Sequence, residues 1–207
     1  MEEITKEEIE KLMSSKIKTR GAVFQTDSRY VSEKMGQAEL RKVEDELKRM
    51  GHPFKYKEIK SMAFYPAGLR MLSLLAIKKT FNFDDEKIKE MGLFATKKSL
   101  IIKMFTRYFL SMERVFYREA PRLWQKHWTQ GTLTPVELNE KEKYAILRLE
   151  DFDLHPLYCS VYLSGYFSGI LQIVTEAFKI TCRETKCTFS LKRDEYHEYL
   201  LKWSPCC

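Results

Sequence analysis

The stretch "TLTPVELNEKEKYAILRLEDFDLHPLYCSVYLSGYFSGILQIVTEAFKITCRETKCTFSLKRDEYHEYLLKW", residues 132–203, decides the fold of this chain. Its opening, "TLTPVELNEKEKYAILRLEDFDL", alternates like two strands joined by a polar turn at Asn139–Glu142. In the second strand Tyr144, Ile146 and Arg148 fall on one face, and Ala145, Leu147 and Leu149 on the other. "HPLYCSVYLSGYFSGILQIVTEAF" then reads as a helix with Pro156 in its first turn, where a missing N–H costs no intrahelical bond. Ser164, Gly165, Ser168 and Gly169 put small side chains on neighbouring turns. Two more strands follow, at about 179–189 and 195–203, connected by "SLKRD". The order is β-β-α-β-β.

Everything upstream reads as mostly helical. Residues 3–14 suit a short amphipathic helix with Ile4, Ile9 and Leu12 inward. A short strand is expected at 21–25, then helical sequence capped at Asp27 or Ser28, broken at Gly36 and stopped at Gly51. Leu40, Val43 and Leu47 make an apolar stripe in its second part. Pro66 opens a helix to about Lys79, with Leu69, Leu72, Leu75 and Ala76 facing inward. Asp84 or Asp85 caps a long helical segment carrying Phe94, Leu100, Ile101, Met104, Phe105 and Phe109, and a further helix is kinked or restarted at Pro121. The expected fold class is α+β: one domain, with a helical N-terminal half packed on a largely antiparallel sheet. Residues 1–19 read as an N-terminal helical extension, 20–203 as the domain and 204–207 as a tail.

Composition narrows the function classes. At 44% hydrophobic and 31% charged over 207 residues, the chain can bury one sizeable core. Charge and small polar residues interrupt the apolar runs, so no membrane span is expected. The acidic amphipathic start, "MEEITKEEIEKLM", is unlike a secretory signal, which predicts a cytoplasmic protein with free thiols or metal-bound cysteines. The net charge of +7 permits nucleic-acid contact, but the positive residues are spread out, and Lys97, Lys98, Lys103 and Arg107 read as a solvated helix face.

Nothing in the chain signals catalysis: there is no Gly-rich phosphate loop, GxSxG elbow or HExxH motif. Glu150, Asp151 and Asp153 fit capping or solvation, and a Cys159–His155 nucleophile–base pair competes with a helix-start His beside a core Cys. Zinc-type donors do gather in the last hairpin, where Cys182, Glu184, Cys187 and His197 fall within sixteen positions. In one strand Cys182 and Glu184 share a face, and Cys187 joins them only through a bulge or turn. His197 lies across the hairpin, and Cys159 is a further donor from the helix. The alternative is two buried strand cysteines, a solvated Glu184 and a surface His197. Aromatic residues on the helices suggest an apolar ligand pocket, with Phe64, Tyr65, Phe105, Tyr108 and Phe109 as candidates. Trp124, Trp128, Tyr162 and Tyr166 join them, against the reading that all are ordinary core.

"HPLYCSVYLSGYFSGIL" followed by "KITCRETKC…DEYHEYLLKW" resembles the C-terminal part of the 4-vinyl reductase domain family. "GAVFQTDSRYVSEKMGQAELRKVEDEL" and "FYPAGLRML" resemble related uncharacterised bacterial proteins. The resemblance implies the fold shared by haem-NO-binding sensors and the small TRAPP subunits, and a non-enzymatic module binding a small hydrophobic ligand. It implies a zinc ion on Glu184, Cys187 and His197, completed by Cys159 or Cys182. Haem is not expected: "YLSGY" at 162–166 keeps only part of the Tyr-x-Ser-x-Arg haem clamp. The implied partners are a second copy, through the small-residue run, or a separate signalling protein. The alternative function is a ligand-free scaffold resembling the TRAPP subunits.

Overall fold

The computed structural model describes residues 4–98, 111–175, 177 and 179–204. Helix α1 (Lys6–Ser14) starts at a capping box: the Thr5 hydroxyl accepts from the Glu8 N–H, and Glu8 accepts from the Thr5 N–H at 2.8 Å. Strand β1 (Lys18–Arg20) pairs antiparallel with β2 (Phe64–Pro66). Helix α2 (Ala22–Lys34) therefore begins where a strand was expected. The Gly21 N–H bonds to the Ala63 carbonyl at 2.8 Å, which ends the ribbon, and a side chain at Gly21 would lie 2.2 Å from the Lys60 carbonyl oxygen. Phe24, Asp27, Tyr30 and Val31 are the buried stripe of this helix, so Asp27 lies within it rather than capping it. Gly36, at φ +106°, breaks the helix as its freedom in that region allows.

Helix α3 (Leu40–Arg49) buries Val43 and Leu47, with Gly51 at φ +80° just beyond its end. Helix α4 (Ala67–Thr80) is buried nearly all round, including Arg70 and Ser73, whereas Leu69 and Leu75 are only partly covered. One inward stripe therefore understates it: α1 and α3 both pack on this helix. Helix α5 (Asp85–Lys98) is capped by Asp84, which accepts from the Lys87 N–H at 2.9 Å. Leu100, Ile101, Met104, Phe105, Tyr108 and Phe109 lie outside the described residues. After a short turn (Met112–Arg114) and a π-helical turn (Val115–Glu119), Pro121 sits in the first turn of α6 (Ala120–His127).

Strands β3 (Thr132–Asn139), β4 (Tyr144–Glu150), β5 (Lys179–Lys186) and β6 (His197–Ser204) form one antiparallel sheet, ordered β3-β4-β6-β5. Ala145, Leu147 and Leu149 are the buried face of β4, matching the sequence alternation. Between β4 and β5 a π-helical turn (Leu157–Tyr162) runs into α7 (Leu163–Thr175). The domain is α+β, with a helical N-terminal half and a β-β-α-β-β C-terminal half.

Helix α7 packs against β5 on one side and α5 on the other. Its small residues serve the α5 contact. A side chain at Gly165 would lie 1.9 Å from the Lys89 carbonyl oxygen, and one at Gly169 would lie 2.1 Å from the Thr96 hydroxyl. The run expected to bring two copies together is thus used within the chain. By length and composition alone Leu157–Thr175 is apolar enough to cross a membrane, and 56% of its apolar window is buried inside the fold.

Candidate metal group and ligand cavity

The last hairpin is irregular where the donors lie. The β5–β6 register shifts between Glu184 and Lys186, so two residues of β5 face one of β6. That bulge brings Cys187 round to the side on which Glu184 points, and the Asp194 carboxylate holds the turn by accepting from the Cys187 N–H at 2.9 Å. The donor atoms of Glu184, Cys187 and His197 lie within 4.8 Å of one another. His197 is fully buried, and Glu184 and Cys187 are half-buried.

The imidazole is held on both sides. His197 Nε2 lies 3.1 Å from the Phe152 carbonyl oxygen and 3.1 Å from the Thr188 hydroxyl, while Nδ1 lies 2.7 Å from Glu184 Oε1. A carbonyl only accepts, so Nε2 carries the hydrogen and Nδ1 faces the carboxylate with its lone pair. Two such atoms at 2.7 Å share a hydrogen, and a zinc ion bonded to both at its usual lengths would need them slightly farther apart.

Cys159 and Cys182 are outside the group. Cys159 is fully buried near the Phe152 carbonyl, and burial pushes its thiol far up. Cys182 shares the inward face of β5 with Glu184, one pair further along, where burial pushes its thiol up to about 12. The group's helix neighbour is instead Ser160, whose hydroxyl donates to Glu184 Oε2 at 2.5 Å and lies 3.9 Å from Cys187 Sγ. Sequence reading passed over Ser160 because hydroxyls are common and its helical phase is set by the π turn. No Cys159–His155 pair forms: His155 Nδ1 accepts from the Leu157 N–H at 3.1 Å, closing the helix start.

On the other side of the same π turn lies a cavity of about 370 Å³. Helices α2, α5, α6 and α7 line it, with Ser61 and Met62, Leu133 of β3 and the π-turn residues Tyr158 and Tyr162. Tyr158 and Tyr162 stack with centroids 5.0 Å apart, and Trp124 and Trp128 stack at 5.6 Å, with Phe152 edge-on to both indoles. Burial raises the Tyr158 and Tyr162 phenols and pushes Tyr166 up to about 12, so the wall is uncharged there. Among the sequence candidates, Trp124, Trp128, Tyr162 and Tyr166 line this cavity. Phe64 does not: it is exposed on β2 beneath Arg20, whose guanidinium carbon lies 4.5 Å from the ring centroid. Tyr65 packs against Phe24, and its hydroxyl accepts from the Lys60 N–H at 2.9 Å.

Behind the tyrosines sits a pair that sequence reading missed. Arg70 and Asp27 are fully buried, with contacts of 2.7 and 3.0 Å between guanidinium and carboxylate. The guanidinium lies 4.9 Å from the Tyr162 ring centroid and 5.7 Å from that of Tyr158. No local pattern announces a contact between residues 43 positions apart.

Comparison with known proteins bears on the fold. No protein-family model matches the chain, and no curated protein matches it significantly. Solved structures do. An H-NOX protein variant from S. oneidensis, in the Fe(II) ligation state, superposes with a TM-score of 0.65 at 14% identity, over 89% of this chain and 96% of that one. A doubly substituted Tt H-NOX gives 0.64 at 12% identity, over 91% and 97%. An unliganded Fe(II) H-NOX protein from K. algicida gives 0.60 at 10% identity, over 90% and 97%. The helical half, the four-stranded antiparallel sheet and the helix between its strand pairs together make this chain similar in fold to H-NOX domains, with no closer family shown.

Proposed function

We propose that this chain is a non-enzymatic domain that binds a small apolar ligand, as a sensor or carrier, and holds a structural metal in its last hairpin. The observation that carries the ligand reading is the cavity: about 370 Å³, walled on one side by stacked tyrosines and tryptophans, with polar side chains from α2, α5 and α6 around the rest. The metal reading rests on the clustering of three donors of zinc-binding type: the ligand atoms of Glu184, Cys187 and His197 lie within 4.8 Å of one another. Glu184, Cys187 and His197 would hold the ion, with the Ser160 hydroxyl beside them, and zinc accepts carboxylate, thiolate and imidazole donors. The Phe152 carbonyl would orient the imidazole from behind, as outer partners of metal-bound histidines do. Bound there, the ion would tie both hairpin strands together and supply no chemistry.

The scaffold alternative needs a continuous exposed apolar face. The large apolar side chains exposed among the described residues (Met35, Met62, Phe64, Tyr117, Val136, Phe189 and Leu191) come from five separate stretches of chain. Any pairing of copies must use a surface other than the small-residue run. Haem finds no Tyr-x-Ser-x-Arg clamp in this sequence. Added haemin is expected to give no spectrum of an imidazole-ligated iron.

Elemental analysis of the untagged protein beside Cys187→Ser tests the metal. One zinc per chain, lost in the variant with a lower melting temperature, is the expected result. A metal-free wild type of unchanged stability after zinc addition would remove the metal and leave a hydrogen-bonded imidazole–carboxylate pair. Thermal-shift screening of small aromatic compounds tests the cavity, and Tyr162→Ala should abolish any shift found.

A further inference from the structure

We propose that the cavity selects an apolar anion: a monocarboxylate whose aromatic or aliphatic body lies on the Trp–Tyr wall and whose charged end meets Arg29 and Lys98. This deepens the ligand reading above and rests on it. The described lining contains Arg29 and Lys98 and no Asp or Glu. The two cations converge on one point, since Glu33 accepts from Arg29 Nε at 2.8 Å and lies 2.7 Å from Lys98 Nζ. Two positive charges against one carboxylate leave one positive charge in excess at that part of the wall. Glu33 is itself off the lining and about a third exposed.

The other groups facing the cavity do not cancel this excess. Burial keeps Tyr158, Tyr162 and Tyr166 neutral. Burial, with Arg20 and Lys126 nearby, lowers the His127 pKa and keeps that ring uncharged at neutral pH. Gln25 spends its amide N–H on the Ile59 carbonyl at 3.0 Å, and the Thr26 hydroxyl donates to the Ala22 carbonyl at 3.0 Å. The described lining is therefore uncharged except at Arg29 and Lys98, where it is positive. An apolar cation would be repelled there. A neutral ligand would gain nothing from the two cations. An apolar anion is compensated at one end and buried at the other, the arrangement by which a few charged groups orient a ligand in an apolar pocket.

The test is calorimetric titration of the full chain, at low salt, with three probes of one shape: 1-naphthoate, 1-naphthalenemethanol and 1-naphthylmethylammonium. Naphthoate is expected to bind about fivefold tighter than the alcohol, as partly exposed charges allow, with the ammonium weakest. Added salt should shrink the difference. Arg29→Gln/Lys98→Gln should erase the preference for naphthoate over the alcohol. Glu33→Gln removes the competing carboxylate and should strengthen naphthoate binding severalfold. Alcohol binding equal to or tighter than naphthoate in the wild type would overturn the anion proposal and leave the ligand cavity standing. No binding of any probe would overturn both.

Discussion

Cys159, Cys182 and Cys187 differ in ways their spacing does not show. Burial raises all three thiols, but only Cys187 is partly exposed and beside other donors. In a Cys206→Ser/Cys207→Ser background, a thiol reagent at pH 8 should leave Cys159 and Cys182 unmodified in the native state. It should label Cys187 slowly, and zinc should protect that site; rapid labelling of two or more thiols would contradict this placement. Arg70 and Asp27 make a second residue-scale prediction. Arg70→Ala alone leaves a buried carboxylate without its cation and should cost about 3–5 kcal/mol by urea unfolding. Arg70→Met with Asp27→Leu should recover most of that loss, since the pair's mutual attraction mainly offsets its own desolvation.

Two histidines set a pH dependence. Burial lowers the pKa of both His127 and His155 from 6.5. The unfolded chain therefore binds more protons than the native one as the pH falls through 6.5, and a falling pH favours the state that binds more. Their contribution is fully present above that value and lost as the pH drops through the lowered native values. The melting temperature should fall between pH 7 and pH 5, and His127→Gln should flatten part of the slope. A melting temperature that rises over this range would refute the burial of these rings.

Among the elements, the α5–α7 contact depends on glycine at three places. A side chain on Gly92 would lie 2.1 Å from the Tyr162 carbonyl oxygen, and Gly165 is tighter still against Lys89. These are backbone obstacles, so the helices themselves must separate. Gly165→Val should cost about 3 kcal/mol in denaturant unfolding. Gly36→Ala, with nothing within 4 Å, should cost only about 1 kcal/mol, through its left-handed backbone. Equal losses in the two variants would mean that α5 and α7 do not pack as described.

At the scale of the whole molecule, the turn Leu157–Tyr162 joins the two candidate sites. Tyr158 and Tyr162 project into the cavity, while Ser160 between them reaches Glu184 and Cys187. π-helical turns often mark functional positions, and this one cannot shift for one site without moving a contact at the other. Removing the metal with a chelator should therefore weaken binding of an aromatic ligand about fivefold, and the ligand should tighten metal binding by the same factor. Ligand affinity identical with and without bound zinc would separate the two sites.

The C-terminal half was legible because its cues are local. Alternation over Tyr144–Glu150, the polar turn after Asn139 and Pro156 at a helix start each depend on residues a few positions apart. Glu184, Cys187 and His197 could be named as donors from their types and from the hairpin between them. Their meeting depends on the bulge before Lys186, and a one-residue slip there would turn Cys187 to the other face. Sequence also suggested a strand at 21–25, which the pairing of β1 with β2 displaced into α2. What only the tertiary structure decided was long-range: Ser160 rather than Cys159 beside the donors, Asp27 against Arg70, and Arg29 with Lys98 at one cavity wall. Each joins segments far apart in the chain. Periodicity tells which face of an element turns inward, and packing alone determines what that face meets.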